Sequence, residues 1–435
     1  MRSFLFRPVA AASLLTLSAA CVAAQEDRME NREPKQLDAR GAKPLDTQPW
    51  QLPPGQLPSV VPAEVDYAAF GLGLFRRLAD TRPNQNVVVS PLSAGLAVSM
   101  LANGAQGETL AGIERTLGTG LGIEALNGAN AALAEALRNG DVELSIANSL
   151  WARQGVPFLP AFMERNRRFY GAEVATLDFA SPEAPARINR WASENTSGRI
   201  TRMVDAPMDP DLVLYLMNAV YFKGRWQDEF QAAQTRPMPF HAPGGTVQRP
   251  MMQRTGDYRY LRADGFRAVR LPYRGGRFAM YVLLPDEGSS VAALRERLTP
   301  RAWAEWMGGF GGAREVRVVM PKYRINVEFA LNGPLQALGM AEAFSPARAN
   351  FGAMLPAEYL ARQNAYVSEA KQKVFIEVNE EGTEAAAVTG IGVRITSAPA
   401  EPVSFIVDRP FILAIRDDQT GALLFIGQIN DPATE

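Results

Sequence analysis

Hydrophobic side chains recur at helical spacing in the first part of the chain. Residues 68–80 (AAFGLGLFRRLAD) place apolar side chains three and four positions apart, which is the spacing of an amphipathic helix. Residues 90–105 (SPLSAGLAVSMLANGA) begin with a serine suited to the N-cap and a proline in the first turn. Both segments are predicted to be helices, as are residues 127–139 and 184–197.

Strand-like patterns dominate after residue 212. Segments 212–222, 278–285 and 316–325 are rich in apolar residues at both odd and even positions, as in strands that are buried on both faces. Helices followed by many strands with a few interspersed helices indicate an α+β fold with extensive, mostly antiparallel sheet. Residues 63–432 show no fixed-period repeat and no second linker-like break, so residues 63–435 are predicted to form a single domain.

One connection between two predicted strands is unusually long. Residues 380–402 (EEGTEAAAVTGIGVRITSAPAEP) join a strand at 373–378 to strands within 404–415. Inside a compact domain, a connection longer than about 15 residues is usually functional, disordered, or a sign of misassigned elements. The pattern favours a functional segment.

The side chains of this connection alternate in a way that suits a strand. If residue 383 starts a strand, one face is small or apolar throughout and the other carries both charges, Glu384 and Arg394. The small or apolar face holds Thr383, Ala385, Ala387, Thr389, Ile391, Val393 and Ile395. Such a segment has two possible places, an exposed loop and a position inside a sheet. The alternation of side chains by itself also allows an ordinary strand and hairpin.

Composition and charge indicate a soluble globular protein. The chain has 435 residues, of which 47% are hydrophobic and 21% charged, and its formal net charge is −1. An apolar content of this size supports a large core. A charge near zero gives no reason to expect nucleic acid or an anionic membrane surface as a partner.

The N-terminus resembles an export signal. Two arginines precede an apolar run and a small-residue site for cleavage after Ala24, so residues 1–24 are predicted to be a signal peptide. The stretch SAAC also loosely resembles a lipoprotein signal, with Cys21 lipidated. Residues 25–62 are polar and proline-rich and are predicted to be a flexible linker. The expected location is secreted or periplasmic, or the cell envelope if Cys21 carries lipid.

The inventory of reactive side chains argues against an enzyme. His241 is the only histidine, and its neighbours give no sign of a Ser-His-Asp site. Cys21 is the only cysteine, so neither an internal disulfide nor a zinc site of the His/Cys type is possible. The sequence contains no phosphate-binding glycine loop of the usual kinds. We therefore expect no catalytic residues, no metal and no cofactor.

Several stretches, taken in order, resemble the serpin family. EVNEEGTEAAAVT (377–389) resembles the proximal hinge of that family, and DRPFILAIRDDQTGALLFIGQINDP (408–432) resembles its closing strand pair. Further matches are NVVVSPLS (86–93), ANSLW (147–151), INRWASENTSGRI (188–200), MNAVYFKGRWQDEF (217–230), LPYRGGRFAMYVLLP (271–285), MPKYRI (320–325) and LGMAEAF (338–344). They cover nearly the whole predicted domain, and the ordered set is specific although each match alone is weak.

The resemblance implies a fold and a mechanism. The fold has three β-sheets, eight or nine helices and an exposed reactive loop, here at about residues 380–403. A serine or cysteine protease attacks the loop and forms an acyl-enzyme, and the cleaved loop then inserts into the main sheet. The hinge would comprise Glu380, Glu381, Gly382, Thr383, Glu384, Ala385, Ala386, Ala387, Val388 and Thr389. Its small residues favour an active inhibitor over the alternative, a non-inhibitory serpin acting as a binding or structural protein.

The resemblance also assigns residues that control opening of the main sheet. Ser90, Ser93 and Asn218 match a polar cluster beneath the opening strands, and Trp226 matches a position near the point where the hinge enters. The family often has a histidine in the strand before the hinge, but this chain has Gln372. An amide hydrogen-bonds like a neutral imidazole but cannot gain a charge, so reduced pH sensitivity is expected.

The reactive bond is predicted by counting from the hinge. In the family it usually follows the seventeenth residue from the first hinge glutamate, which gives Thr396–Ser397 here. A small β-branched residue suits an elastase-like or subtilisin-like protease. The alternative bond, Arg394–Ile395, suits a trypsin-like protease, whose pocket pairs a cation with its acid. The protein is expected to act as a monomer.

Overall fold

Helices cover both sheets of the computed structural model, which describes residues 65–138, 142–383 and 401–433. Within these ranges eight helices have seven or more residues and two have four. The helices are α1 (Ala68–Asp80), α2 (Pro91–Ala102), α3 (Gly107–Leu117), α4 (Ile123–Arg138), α5 (Pro160–Tyr170), α6 (Glu183–Asn195), α7 (Val291–Arg297), α8 (Pro300–Gly308), α9 (Asn332–Leu335) and α10 (Ala357–Leu360). The expected α+β class is confirmed.

Most of the strands follow α6 in the chain, as the apolar pattern predicts. They are β1 (Val87–Val89), β2 (Glu143–Arg153), β3 (Glu173–Leu177), β4 (Leu214–Arg225), β5 (Arg236–Ala242), β6 (Gly245–Ala263), β7 (Phe266–Pro272), β8 (Phe278–Pro285), β9 (Ala313–Pro321), β10 (Tyr323–Ala330), β11 (Lys371–Val378), β12 (Gly382–Thr383), β13 (Val403–Ile406), β14 (Phe411–Asp417) and β15 (Leu423–Ile429). Strand β8 is buried along its whole length.

The start of α2 shows how local chemistry sets a helix boundary. Ser90 has extended backbone geometry, and its Oγ accepts a hydrogen bond of 3.2 Å from the Ser93 amide. Pro91 then occupies the first turn, where its missing N–H removes no helical bond. This cap confirms the predicted helix start and fixes α2 beneath the main sheet.

The main sheet has six strands in the order β10-β11-β12-β4-β2-β3. All neighbouring strands are antiparallel except β2 and β3. Strand β12 contributes only two residues between β11 and β4. The sheet is therefore nearly open at its centre.

The remaining strands form one nine-stranded assembly rather than two separate sheets. Its order is β1-β15-β14-β8-β7-β6-β9-β13, and β5 pairs with β6 at the side. The 19-residue strand β6 joins the two parts, because its first part pairs with β5, its middle with β9 and its end with β7. The resemblance implies three sheets, but the described strands form two, because the continuous strand β6 joins what would be the second and third.

Two hydrophobic clusters fill the interior. The larger one includes fully buried side chains such as Phe75, Phe278 and Phe405. The smaller one joins α6 to β2 and β4, with Trp151 and Trp191 packed edge to face at 6.0 Å between ring centroids. Helix α6 is thus held to the main sheet by its own apolar contacts. None of the helices in the described ranges combines the length and the apolar character needed to cross a bilayer.

Candidate functional site: the opening in the main sheet

The centre of the main sheet is occupied only at one end. Gly382 pairs with Arg225 of β4, and Thr383 lies between Gly224 of β4 and Val378 of β11. Beyond these two residues, no described strand lies between the facing edges of β4 and β11. Open strand edges offer backbone groups to a further strand. The site is therefore a partly filled strand position.

A tight turn carries the chain from β11 into this position. The Asn379 side-chain oxygen accepts hydrogen bonds from the amides of Glu381 (3.1 Å) and Gly382 (3.2 Å). The Asn379 amide also donates to the Gly382 carbonyl at 2.9 Å. Asparagine favours such turns because its short side chain hydrogen-bonds the backbone two or three residues on. The turn thus directs residue 382 back along β11.

Residues after β4 hold the hinge from the other side. The amides of Trp226 and Phe230 donate to the carbonyls of Glu381 (2.9 Å) and Glu380 (2.7 Å). The Trp226 indole also donates to the Asn379 carbonyl at 3.0 Å. Three hydrogen bonds therefore fix the backbone of the first hinge residues.

A pair of aromatic rings supports Thr383 from below. The Tyr273 ring stacks on Trp226 at 4.7 Å, and its hydroxyl is hydrogen-bonded to Thr383 Oγ1 at 2.7 Å. Burial raises the pKa of Tyr273 far above its ordinary value, so this hydroxyl stays neutral. A Cβ on Gly224 would lie 2.6 Å from the Tyr273 ring, and one on Gly382 would lie 2.0 Å from the Gly224 carbonyl oxygen. Both glycines are therefore required for the close approach of hinge, strand and ring.

Glu380 is fixed by charge and hydrogen bonds. Its Oε1 accepts from Thr235 Oγ1 at 2.7 Å and from Lys322 Nζ at 3.2 Å. Burial raises the pKa of Glu380, but hydrogen bonds from Thr235, from the backbone of Glu380 itself and from Lys322 together outweigh burial, so the pKa lies below its ordinary value. This carboxylate stabilises the hinge while it is ionised.

The next residue, Glu381, lies in an unfavourable electrostatic environment. Burial and the neighbouring carboxylate of Glu229 raise the pKa of Glu381. Its Oε2 is buried and has no hydrogen-bond partner in the described structure. Glu381 is therefore held at an electrostatic cost, whereas Glu380 gains from its surroundings.

A cavity of about 610 Å³ lies between the first halves of β4 and β11. Ser93 of α2, Asn218 of β4 and Gln372 of β11 all line it. Each of these three side chains is more than nine-tenths buried. The cavity thus continues the strand position that β12 begins.

Gln372 ties β11 to the start of α2. Its Oε1 accepts from the Ser90 amide, and its Nε2 donates to the Ser90 carbonyl, each at 2.9 Å. The side-chain amide therefore satisfies both backbone groups of one residue, and neither bond depends on a group that titrates near neutral pH.

Asn218 is connected in a different direction. Its Nδ2 donates to Asn148 Oδ1 at 2.6 Å, and Asn148 Nδ2 donates to the Tyr170 carbonyl at 2.7 Å. The Asn218 Oδ1 atom is buried and has no partner in the described structure. A buried acceptor without a hydrogen-bond donor is rare in protein interiors.

The structure groups the sequence-predicted residues into two places. Ser93, Asn218 and Gln372 line the cavity. Ser90 is connected to it only through Gln372, which it meets through its backbone rather than its side chain. Trp226 lies at the hinge instead, eight residues beyond Asn218 on the same strand and the turn that follows.

The first hinge residues are not exposed. Gly382 and Thr383 are buried within the sheet, and Glu380 and Glu381 are half-buried. The prediction of an exposed loop that begins at residue 380 is therefore wrong for these four residues, because hydrogen bonds with Asn379 and Trp226 hold them against the sheet. Thr383 lies on the buried face that its parity predicts. The other predicted residues of the segment, Glu384, Ala385, Ala386, Ala387, Val388, Thr389, Arg394, Ile395, Thr396 and Ser397, lie outside the described residues, as does Cys21.

Three residues of the hinge environment were not found from sequence. Tyr273 and Lys322 fall within stretches that resemble the family, but their local patterns mark them only as strand residues. Thr235 is the C-cap residue directly after a short helical turn (Ala232–Gln234), and no sequence pattern indicated a role for it. Their partners are 110, 58 and 145 residues away in the chain, so only the fold brings them to the hinge.

Nothing in the described ranges resembles a metal centre or a histidine-based active site. No group of three or more potential metal ligands is present there. His241 lies exposed on β5, with its Nδ1 3.0 Å from Thr246 Oγ1.

Comparisons with known proteins identify the family. Residues 66–432 match the family model described as serpin (serine protease inhibitor). The chain belongs to the serpin family.

Relatives among characterised proteins cover 83% of this chain. Leukocyte elastase inhibitor of Sus scrofa is 34% identical over 382 residues, with 97% of that protein covered. Glia-derived nexin of Mus musculus is 35% identical over 379 residues, with 91% covered. Serpin B8 of Bos taurus is 33% identical over 370 residues, with 97% covered.

Solved structures confirm the serpin fold. The thermophilic serpin tengpin in its native state matches with a TM-score of 0.76 at 30% identity, covering 85% of this chain and 94% of that chain. Native protease nexin-1 with heparin matches with a TM-score of 0.74 at 30% identity, covering 86% and 100%.

Proposed function

We propose that this serpin inhibits serine endopeptidases, and cysteine endopeptidases of similar preference, by suicide-substrate trapping. The observation that carries the proposal is the short strand β12. It already occupies the first positions between β4 and β11, and a cavity lies farther along the same two strands.

The pairing of β12 gives the register of insertion. Six residues beyond Thr383 is Thr389. Six residues along β4 from Gly224 is Asn218, and six along β11 from Val378 is Gln372. Continued insertion in the same register would therefore bring Thr389 between the two amide side chains of the cavity, with its hydroxyl available to Asn218 Oδ1.

The amino-acid composition of the segment after Thr383 suits the open strand position between β4 and β11. With the two-residue period of a strand, residues 385, 387 and 389 fall on the same face as buried Thr383. All of them are alanine or threonine, so they fit a narrow space. A charge in any of these positions would have to be buried at a cost of several kcal/mol.

The chemical step is supplied by the target protease. Its nucleophile attacks the carbonyl of residue 396, and the bond to the amine of residue 397 breaks as the acyl-enzyme forms. Residues up to 396 then insert, carrying the ester-linked protease with them. Hydrolysis of the ester by water competes with insertion, so the faster step decides between inhibition and simple cleavage.

Insertion is driven by the open sheet. A strand between β4 and β11 would gain backbone hydrogen bonds on both sides and bury apolar side chains, which together stabilise the inserted form. The native state is therefore expected to be metastable.

Elastase-like or subtilisin-like serine proteases are the proposed targets, with trypsin-like proteases second. Thr396 is small and β-branched, and one of the relatives is named for the inhibition of leukocyte elastase. Arg394 supports the second class because a trypsin-type pocket pairs with a cation.

The direct test is incubation with elastase, subtilisin and trypsin. A protease–inhibitor complex that survives denaturing electrophoresis is expected with elastase or subtilisin. N-terminal sequencing of the released peptide should begin at Ser397, or at Ile395 for the alternative bond. Cleavage by every protease without any such complex would refute inhibition.

A hinge substitution provides a second test. Thr383→Arg places a charge at a position that is already buried in the uncleaved protein. It should therefore lower the stability of β12 in the uncleaved protein, prevent insertion and convert the inhibitor into a substrate, while the rest of the domain stays folded. Thr81→Arg, at the exposed residue after α1, introduces the same side chain and should leave the fraction of trapped protease unchanged. An equal loss of trapping in both variants would contradict the hinge role.

Export of the protein is a separate proposal. The charged and apolar N-terminal segment with small residues before Gln25 supports a signal peptide, and Cys21 supports lipid anchoring as the alternative. Mass spectrometry of the mature N-terminus distinguishes them. Cleavage after Ala24 gives a soluble secreted or periplasmic protein, whereas a lipid-modified Cys21 gives an envelope protein.

A further inference from the structure

The cavity between β4 and β11 has the dimensions of a small-molecule site. Its volume of about 610 Å³ falls within the range of roughly 300–1,000 Å³ that is typical of ligand pockets. Strands β4 and β11, helix α2 and the segments 202–213 and 335–370 all contribute to its lining. The cavity is therefore enclosed by several elements.

Methionines are concentrated in the lining. Five of the 15 methionines of the chain lie there, together with two phenylalanines. The side chains are Met203, Met208, Met217, Met340, Met354, Phe344 and Phe351. Methionine side chains are flexible and polarisable, so surfaces rich in them adapt to apolar ligands of different shape.

Charges at the rim compensate one another. Lys371 pairs with Glu369 at 2.8 Å, and Lys373 Nζ lies 3.5 Å from Glu328. Arg202 is paired with Asp205. Asp209, the remaining charged residue of the lining, accepts a hydrogen bond from the Asp211 amide. Because most of the charges are paired, a charged ligand would gain little from them, and a neutral ligand is favoured.

One buried polar atom of a lining residue lacks a partner. Among the described side chains that line the cavity, only Asn218 presents a buried oxygen, Oδ1, without a hydrogen bond. The amide atoms of Gln372 are already bonded to Ser90. A buried acceptor without a partner is unfavourable, so a donor that reaches Asn218 would bind favourably.

We infer that this cavity binds a neutral, mainly apolar small molecule that carries one hydrogen-bond donor. A primary amide or alcohol on an alkyl chain of about eight carbons has this chemistry. The chain would pack among the methionines, and its terminal N–H or O–H would donate to Asn218 Oδ1.

A bound ligand would compete with the reactive loop. The register brings residue 389 to the same two amides, so the ligand and the inserted strand would exclude each other. This consequence rests on the proposed function, whereas binding to the intact protein does not. Ligand occupancy would slow insertion and divert the protein from trapping to simple cleavage.

Binding is tested on the intact, uncleaved protein with octanamide as the probe. Octanamide should raise the thermal midpoint in a saturable manner, since a ligand that binds only the native state stabilises it. Methyl octanoate has a similar chain and no donor, and its effect should be at least several-fold weaker at equal concentration. Equal effects of the two compounds would overturn the role of Asn218, and no effect of either would mean that only water fills the cavity.

A cavity-filling variant tests the location. Ala97 of α2 lines the cavity, and Ala97→Phe should abolish the octanamide shift. Ala69→Phe adds the same ring at an exposed position of α1 and should retain the full shift. An undiminished shift in Ala97→Phe would place the ligand elsewhere.

Methyl resonances provide a measurement without any substitution. In protein labelled at the methionine methyl groups, octanamide should shift the signals of the five methionines in the lining and leave the others unchanged. Shifts spread over all methionines, or confined to those outside the cavity, would contradict the site.

An experiment with added protease separates this inference from the proposed function. With protease added, saturating octanamide should increase the cleaved, free inhibitor at the expense of the covalent complex at least several-fold. If the protein never traps a protease, the proposed function fails while binding to the intact protein still stands. If trapping occurs and is unaffected by bound octanamide, the competition is refuted.

Discussion

Glu380 and Glu381 are adjacent in the hinge, yet their carboxylates experience opposite environments. Glu380 accepts hydrogen bonds from Lys322 and Thr235, whereas Glu381 is half-buried beside Glu229. Two identical side chains therefore contribute to the native state with opposite sign. This difference arises mainly from contacts with remote parts of the chain.

We expect Glu380→Gln to lower the free energy of unfolding at pH 7 and Glu381→Gln to raise it, each by on the order of 1 kcal/mol. The first substitution removes an ionised acceptor from Lys322, and the second removes a charge that is poorly solvated. Denaturant titration of the uncleaved protein measures both. Each variant is the matched control of the other, and a change of the same sign in both would contradict the analysis.

The pH dependence of these variants follows from the same contacts. The pKa of Glu380 is lowered in the folded state, so its contribution is fully present above the ordinary value of 4.5 and is lost as the pH falls through the folded pKa. The pKa of Glu381 is raised, so its cost is present above the folded pKa and absent below 4.5. The stability difference between wild type and Glu380→Gln should therefore shrink in acid, as should that for Glu381→Gln.

Gln372 gives a second prediction for a single residue. Gln372→His replaces an amide that bonds both backbone groups of Ser90 with a side chain that titrates near pH 6.5. When the pH is lowered from 7.5 to 5.5, the thermal midpoint of this variant should decrease by several degrees more than that of the wild type, because protonation of the histidine removes the hydrogen-bond acceptor. Gln363→His, at an exposed position, controls for an added histidine. Parallel pH profiles of all three proteins would refute the role of the amide.

At the scale of elements, β12 is the decisive feature. It has two residues, but it pairs with both β4 and β11 and so fixes the register of the strand that would follow. A one-residue slip would turn Glu384 toward the buried face in place of Thr383. The two glycines at the contact and the Asn379 turn are therefore what make the hinge specific.

The register yields a prediction for Thr389→Val, which keeps the shape and removes the hydroxyl. Asn218 Oδ1 would then remain unpaired after insertion, which costs about 1 kcal/mol in the inserted form. The ratio of cleaved to trapped inhibitor should rise several-fold, measured as the stoichiometry of inhibition. The stability of the uncleaved protein should not change.

Thr383→Val is the matched comparison. Thr383 is already hydrogen-bonded to Tyr273 in the native state, so this variant should alter the stability of the uncleaved protein. If both variants behave alike in the uncleaved protein, the register derived from β12 is incorrect.

At the scale of the whole molecule, the centre of the main sheet is filled among the described strands only by the two residues of β12. The facing edges of β4 and β11 are unsatisfied by any described strand, and a cavity separates them. If the proposed insertion occurs, the chain itself supplies the strand that fills this position, and the uncleaved form is not its most stable arrangement.

Cleavage of the loop should therefore raise the thermal midpoint by tens of degrees, since a full strand adds hydrogen bonds on both sides and fills the cavity. Calorimetry of the purified protein before and after limited proteolysis between residues 389 and 400 measures the change. An unchanged midpoint would favour a non-inhibitory member of the family. Proteolysis at an exposed turn elsewhere is the control and should not stabilise the protein.

Local patterns determined most of the elements. The serine and proline at residues 90 and 91 predicted the start of α2, and the apolar runs predicted β4 and β8, because capping and burial periodicity act over a few residues. The alternation from residue 383 likewise predicted which face of the hinge is buried. The family resemblance added the positions of Ser93, Asn218, Gln372 and Trp226, which local pattern alone does not distinguish from ordinary core residues.

Tertiary structure alone decided how far the hinge lies in the sheet and what holds it there. The contacts of Tyr273 with Thr383, of Lys322 with Glu380 and of Asn148 with Asn218 span 58 to 110 residues of chain. The unpaired oxygen of Asn218 and the cavity beside it are equally products of packing. Sequence determines local preference and periodicity, whereas these contacts depend on which distant strands become neighbours, and that is settled only when the whole sheet assembles.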